Sequence, residues 1–60
     1  MTDREALLRA AALIDETADL LMQSYKVGDE WPDDEDSKKA QAEVEEHHAV
    51  ADQLRRMVGK

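Results

Sequence analysis

A single interruption divides this chain into two long stretches with helical periodicity. The interruption, GDEWPDDED at residues 28–36, holds the only proline of the sequence and one of its two glycines. On both sides of it, apolar residues recur at the spacings of an amphipathic helix. A connection this short makes two such helices antiparallel neighbours. The sequence therefore predicts an all-α fold, a two-helix antiparallel hairpin that forms one domain over residues 1–60.

The first helix is predicted at about residues 3–27. Thr2 and Glu5 have the spacing of a capping box, in which each side chain satisfies a free amide of the first turn. Gly28 stands where a glycine commonly ends a helix. The apolar residues form two neighbouring rows, one through Leu7, Ala10, Ile14 and Leu21 and the other through Leu13, Leu20 and Val27.

The second helix is predicted at about residues 37–58, after a loop at about 28–36. Because Pro32 also suits the first turn of a helix, the start lies anywhere between Pro32 and Ser37. Gly59 provides the stop. The inward row, flanked by Val50 and Met57, consists of Ala40, Val44, His47, Ala51, Leu54 and Val58.

The two helices carry unequal amounts of apolar surface. Helix 1 has nine large apolar residues and helix 2 has five, so one narrow row cannot cover helix 1. Chains of this length are marginally stable without help, and the absence of cysteine excludes disulfides. We therefore expect a homodimer built as a four-helix bundle, with self-association through Leu7, Ala10, Ile14, Ala18 and Leu21.

The net charge of −7 argues against direct nucleic-acid binding, which depends on clustered positive charge. It suits a basic partner. The start MTDREALL lacks the layout of a signal peptide, and no apolar run approaches the length of a membrane span. The sequence predicts no membrane association and a cytoplasmic location.

The sharpest candidate for metal chemistry is the pair Glu45 and His48. Their Glu-x-x-His spacing is that of di-iron helical bundles, and Glu16 of helix 1 could add a ligand. However, Glu45 and His48 fall beside the polar positions Gln41 and Asp52, away from the inward row. A solvated face is the favoured interpretation, and neither a metal nor a cofactor is predicted.

Other chemistry-bearing residues also have simple explanations. His47 lies on the inward row, where we expect a packed ring that donates to Glu43; a pH-sensitive interface or a ligand is the alternative. The pairs Glu16-x-x-Asp19 and Glu43-x-x-Glu46 are similar to the magnesium-binding pairs of all-helical nucleotide pyrophosphatases. Their order is reversed here and the chain is too short to build the pocket, so the prediction is that the protein is not an enzyme.

The acidic loop, together with Trp31 and Tyr25, is the predicted partner-binding surface, because Trp and Tyr side chains bury much area with few rotatable bonds. In the alternative, Trp31 folds back over Val27 and caps the core, with the acids as a solvated rim. The hypothesis that the protein imitates the charge spacing of DNA is weakened, because the acids are concentrated at the loop and on helix 2. The predicted partner-binding residues are Tyr25, Asp29, Glu30, Trp31, Asp33 and Asp34.

The order DREALLRAAALIDETADLL, a glycine with an acidic Trp-containing loop, and then AEVEEHHAVADQLRRMV resembles short acidic helical-hairpin accessory proteins encoded by bacteriophages. The resemblance implies a phage or prophage origin and action in the host cytoplasm, such as inhibition of a host defence protein. It also implies nucleotide sequestration as an alternative, for which Lys26, Lys38 and Lys39 are the candidate residues. The plasmid copy-control RNA-binding hairpin is similar in size, but its basic surface is missing here.

Overall fold

The structure is a computed structural model that describes residues 1–59, and it confirms the all-helical hairpin. Helix α1 spans Asp3–Tyr25 and helix α2 spans Glu35–Val58. The molecule measures 41 × 16 × 16 Å, and a helix of this length is about 36 Å long, so the two helices lie side by side. The radius of gyration is 13.5 Å, against about 10 Å for a globular domain of this size. The hairpin is a thin rod.

Both helices begin with a side-chain cap. Thr2 accepts a hydrogen bond from the amide of Glu5 at 3.2 Å and donates its hydroxyl to the Glu5 carboxylate at 3.1 Å. Asp34 accepts from the amide of Ser37 at 2.8 Å and from its hydroxyl at 3.0 Å. Because the Asp34 carboxylate satisfies the first turn, α2 begins at Glu35, within the predicted range from Pro32 to Ser37, and Pro32 lies in the loop.

Helix α1 ends earlier than the predicted residue 27. The amide of Lys26 closes the helix on the carbonyl of Met22 at 2.8 Å, and Lys26 itself has an extended backbone. The amide of Val27 donates instead to the carbonyl of Glu30 at 2.9 Å, and Glu30 donates back at 3.2 Å. This reciprocal pair removes Val27 from the helix, so the connection runs over residues 26–34.

Gly28 therefore has a different role from the predicted helix stop. It is the first central residue of the turn between Val27 and Glu30, with φ +64°, whereas Asp29 has negative φ. A positive φ at the first central position alone is the signature of a type II′ turn, which favours glycine there. Gly28 shapes the hairpin tip rather than the end of α1.

The seam between α1 and α2 is built from small side chains. Its residues alternate spacings of three and four, the heptad pattern of coiled coils. On α2 the predicted inward row is confirmed, whereas on α1 Ala11 and Ala18 lie deepest, beside the predicted Ala10. Small side chains let helices approach closely, which explains the thin rod. The buried residues are Ala11, Ala18, Ser37, Ala40, Val44 and Ala51, and half-buried Leu7, Ile14, Leu21, His47, Leu54 and Val58 extend the seam.

Candidate interaction surfaces

The packing of α1 on α2 leaves two flanks with different chemistry. Asp15 and Arg55 form a hydrogen-bonded ion pair, and each lies one position after a seam residue, Ile14 and Leu54. Residues one position after the seam therefore share one side of the hairpin, and residues one position before it share the other. We term the side of Asp15 and Arg55 the polar flank and the opposite side the apolar flank.

The apolar flank holds most of the exposed apolar surface of the two helices. Leu13 is 47% exposed and Leu20 is 62% exposed, and Val50 and Met57 are exposed on the same side of α2. The other α2 positions of this flank are charged or polar, namely Asp36, Lys39, Glu43, Glu46 and Gln53. On α1, the positions of this flank carry no charge from residue 6 to residue 24. We term them the α1 stripe, which consists of Ala6, Ala10, Leu13, Thr17, Leu20 and Ser24.

The polar flank carries ion pairs instead. Arg55 contacts Asp15 on α1 and lies 3.5 Å from Asp52 on its own helix. The hydrogen bond that Arg55 donates to Asp15, followed by the charges of both carboxylates, raises the pKa of Arg55 above its ordinary value. Leu8, 43% exposed, is the exposed large apolar residue on this side of the described helices. Apolar association is therefore favoured on the opposite flank.

Most of the residues predicted for self-association lie in the seam. Ala18 is fully buried, and Leu7, Ile14 and Leu21 are half-buried between the helices. Only Ala10 belongs to the α1 stripe. The hairpin itself uses this row, and the neighbouring row through Leu13 and Leu20 is left uncovered.

The loop end gathers the residues predicted to bind a partner. Six carboxylates fall within residues 29–36, and those of Asp29, Glu30 and Asp33 are exposed. Asp33 lies 3.0 Å from Lys38, but both side chains are largely in solvent, where such pairs contribute little. The Asp34 carboxylate is committed to capping α2. The loop end is therefore a compact acidic surface with free carboxylates.

The two aromatic side chains lie at this same end. Tyr25 is the last residue of α1 and is 39% exposed, while Trp31 is partly buried. Val27 is 72% exposed, so Trp31 leaves most of it uncovered, unlike the alternative in which it folds over Val27. Trp31 therefore retains some exposure beside the acidic loop.

The three candidate metal ligands are exposed, and the one on α1 lies apart from the two on α2. Glu45 and His48 lie one turn apart on α2, and Glu16 lies on the outer side of α1. Across residues 1–59, no group of three or more His, Cys, Asp or Glu side chains is close enough to hold an ion.

The two acidic pairs also lie apart. Glu16 and Asp19 border a shallow depression on α1, and Glu43 and Glu46 border another, together with His47. His47 packs as expected, with its Nδ1 donating to the carbonyl of Glu43 at 2.6 Å. The arrangement brings no acidic pair of α1 against an acidic pair of α2.

Two of the three lysines proposed for nucleotide capture, Lys38 and Lys39, lie on different sides of α2. Lys38 follows a seam position and contacts Asp33. Lys39 precedes one and borders a depression with Tyr25, Asp36 and Glu43. The carboxylates beside these two ammonium groups would repel a phosphate group.

The fold and these surfaces define a small helical hairpin with an acidic tip and one apolar flank. No family model, curated protein or solved structure matches the chain. Neither α1 nor α2, as far as the described residues extend, has a segment long and apolar enough to cross a membrane.

Proposed function

We propose that this chain is a non-enzymatic interaction protein, a homodimeric hairpin that binds and modulates a basic host protein through its acidic loop end. The observation that carries the proposal is the juxtaposition at that end of free carboxylates, including Asp29 and Glu30, with the partly exposed Trp31. An aromatic anchor inside a charged rim is the usual anatomy of a binding hot spot.

The geometry of the tip supports recognition. The type II′ turn at Gly28 and the cap at Asp34 hold the loop between two hydrogen-bonded points. A loop held in one conformation loses little entropy when it binds. Negative charge on a protein of net charge −7 also steers a positively charged partner toward it.

The phage-like layout of the sequence supports the biological setting of this proposal. The protein would be of phage type and would act in the cytoplasm of the host cell, where a defence protein is the favoured target. Small size and a single acidic recognition surface suit an inhibitor that occupies a basic site. The separation of the acidic pairs on α1 and α2 supports a role without catalysis.

The proposal is tested by binding rather than by activity. Tagged protein is used to capture partners from bacterial host lysate, and the affinity of the purified partner is then measured at several salt concentrations. Trp31→Ala should weaken binding at least about 30-fold, as expected for a hot-spot residue. Neutralising three loop acids should weaken binding and flatten its salt dependence. The loop variant is Asp29→Asn, Glu30→Gln and Asp33→Asn, which leaves the cap at Asp34 intact.

A matched control removes the same charge elsewhere on the rod. It combines Glu16→Gln, Asp19→Asn and Glu45→Gln, all at exposed positions. This variant should retain the affinity of the wild type to within about threefold. If it loses as much affinity as the loop variant, net charge rather than the loop end governs binding, and the proposal is overturned. An unchanged affinity of Trp31→Ala also contradicts it.

A further inference from the structure

The hairpin exposes more surface than a folded monomer of its mass normally does. Its accessible area is 4645 Å², whereas the scaling for monomeric proteins gives about 4,000 Å² at 6.8 kDa. No large side chain among the described residues is fully buried, because the buried seam consists of alanines, one valine and one serine. The missing burial is therefore about 600 Å² per chain.

The α1 stripe holds the two most exposed leucines of the chain, Leu13 and Leu20. Leu13 and Leu20 lie seven residues apart on the same side of α1, and Thr17 lies between them. The stripe has no charge on a molecule that is otherwise 38% charged. Two molecules of net charge −7 repel each other, so an uncharged surface is where two copies can approach.

We propose that a second copy of this chain covers the α1 stripe, with the two α1 helices antiparallel about a two-fold axis at Thr17. The inference rests on the homodimer of the proposed function and names its surface. An isologous interface must be self-complementary. In this arrangement Leu13 packs against Leu20 of the partner subunit, and Ala10 lies near the partner's Ser24.

The side of the hairpin that carries the α1 stripe is large enough for a specific interface. It is 41 Å long and 16 Å wide, which gives a footprint of about 650 Å² per copy, so two copies face to face would cover about 1,300 Å², within the range of specific interfaces. The α1 stripe supplies the uncharged part of this footprint, and the α2 part combines Val50 with charged residues such as Glu43 and Glu46. The footprint per copy is close to the missing burial.

The charge of the loop ends favours the antiparallel orientation. A parallel dimer would bring the two loop ends together, with six carboxylates from residues 29–36 of each chain. The antiparallel dimer places those ends at opposite ends of a rod about 41 Å long, which is several Debye lengths at physiological salt. It also presents two separate recognition tips.

A pair of glutamate variants tests the surface. Leu13 and Leu8 are exposed to nearly the same extent, 47% and 43%, and lie on opposite flanks of α1. In sedimentation equilibrium, the wild type should be a dimer at micromolar concentration. Leu13→Glu should raise the dissociation constant at least about a hundredfold, because it buries an unpaired charge. Leu8→Glu should change it less than about threefold.

Engineered thiols test the two-fold axis without disturbing the leucines. The chain has no cysteine of its own. Thr17→Cys should form an intermolecular disulfide readily under mild oxidation. Ser24→Cys should not, because the two Ser24 positions would lie about 21 Å apart along the axis, far beyond the roughly 7 Å limit for a disulfide.

Several results would overturn the inference. If the wild type is monomeric at micromolar concentration, there is no dimer. If Leu8→Glu dissociates the dimer as much as Leu13→Glu does, the apolar flank is not its interface. If Ser24→Cys cross-links efficiently, the two α1 helices are not antiparallel. The loop residues are intact in all these variants, so failure here is distinguishable from failure of partner recognition, which Trp31→Ala reports.

Discussion

Replacing Asp34 by alanine should destabilise the hairpin far more than replacing its neighbour Asp33. The Asp34 carboxylate caps α2 through the amide of Ser37 and also accepts the Ser37 hydroxyl. Loss of an N-cap costs about 1 kcal/mol. The Ser37 side chain is only 3% exposed, and a buried hydroxyl left without its partner costs about 1–2 kcal/mol more. Asp34→Ala should therefore lower the free energy of unfolding by about 2–3 kcal/mol.

Asp33→Ala is a matched control for this effect. This substitution also removes one carboxylate before α2. The contact of Asp33 with Lys38 is solvent-exposed, so its loss should cost about 0.5 kcal/mol or less. Urea unfolding, followed by the helical circular dichroism signal at one fixed protein concentration, measures both variants. The concentration must be fixed because association adds to apparent stability.

A second substitution separates the cap from the buried hydroxyl. Adding Ser37→Ala to Asp34→Ala removes the unsatisfied group, so the double variant should recover about 1 kcal/mol relative to Asp34→Ala. If Asp34→Ala and Asp33→Ala differ by less than about 1 kcal/mol, the Asp34 and Ser37 contacts do not hold the start of α2, and the reasoning is refuted.

Three further variants examine the seam, the turn and the polar flank. Ala18→Leu overfills a fully buried position and should cost at least about 2 kcal/mol in urea unfolding, whereas exposed Ala12→Leu should stay within about 0.5 kcal/mol of the wild type. In Gly28→Ala, the new Cβ would meet open space, but alanine would have to adopt φ +64°, which costs about 1–2 kcal/mol. The melting temperature should therefore fall, and a rise would contradict the turn. Arg55→Gln removes an exposed pair, so its small loss of stability should vanish in 1 M salt, and a loss that persists would contradict that interpretation.

The helices and their inward faces could be predicted because their signals are local. The periodicity of α2 selects Ala40, Val44 and Ala51, and the spacing of Thr2 and Glu5 marks the start of α1. In each case, the residues that make the contact are close in sequence. No distant residue has to be placed before the pattern becomes interpretable.

The end of α1 depends on a competition that periodicity does not report. The amide of Val27 can bond back into the helix or across the turn to Glu30, and the structure shows the second. The glycine after Val27 suited either outcome. Because Gly28 both ends helices and opens type II′ turns, its identity alone did not distinguish them.

The apolar surface that α1 leaves exposed could not be predicted from the pattern of α1 alone. Two adjacent rows on α1 are apolar, and a rotation of about 100°, one residue, decides which of them faces α2. The row of Ile14 and Ala18 lies inward and the row of Leu13 and Leu20 lies outward. That choice depends on how the polar residues of α2 are accommodated, as the pairing of Asp15 with Arg55 illustrates.

The difference between the two flanks also limits how far assembly can proceed. A rod with apolar side chains on both sides could add copies on each side without end, as a ribbon or fibre does. Here one side carries the uncharged α1 stripe and the other carries the ion pair of Asp15 and Arg55. In the proposed dimer each copy covers the other's stripe, both outward sides carry that ion pair, and growth would stop at a closed pair.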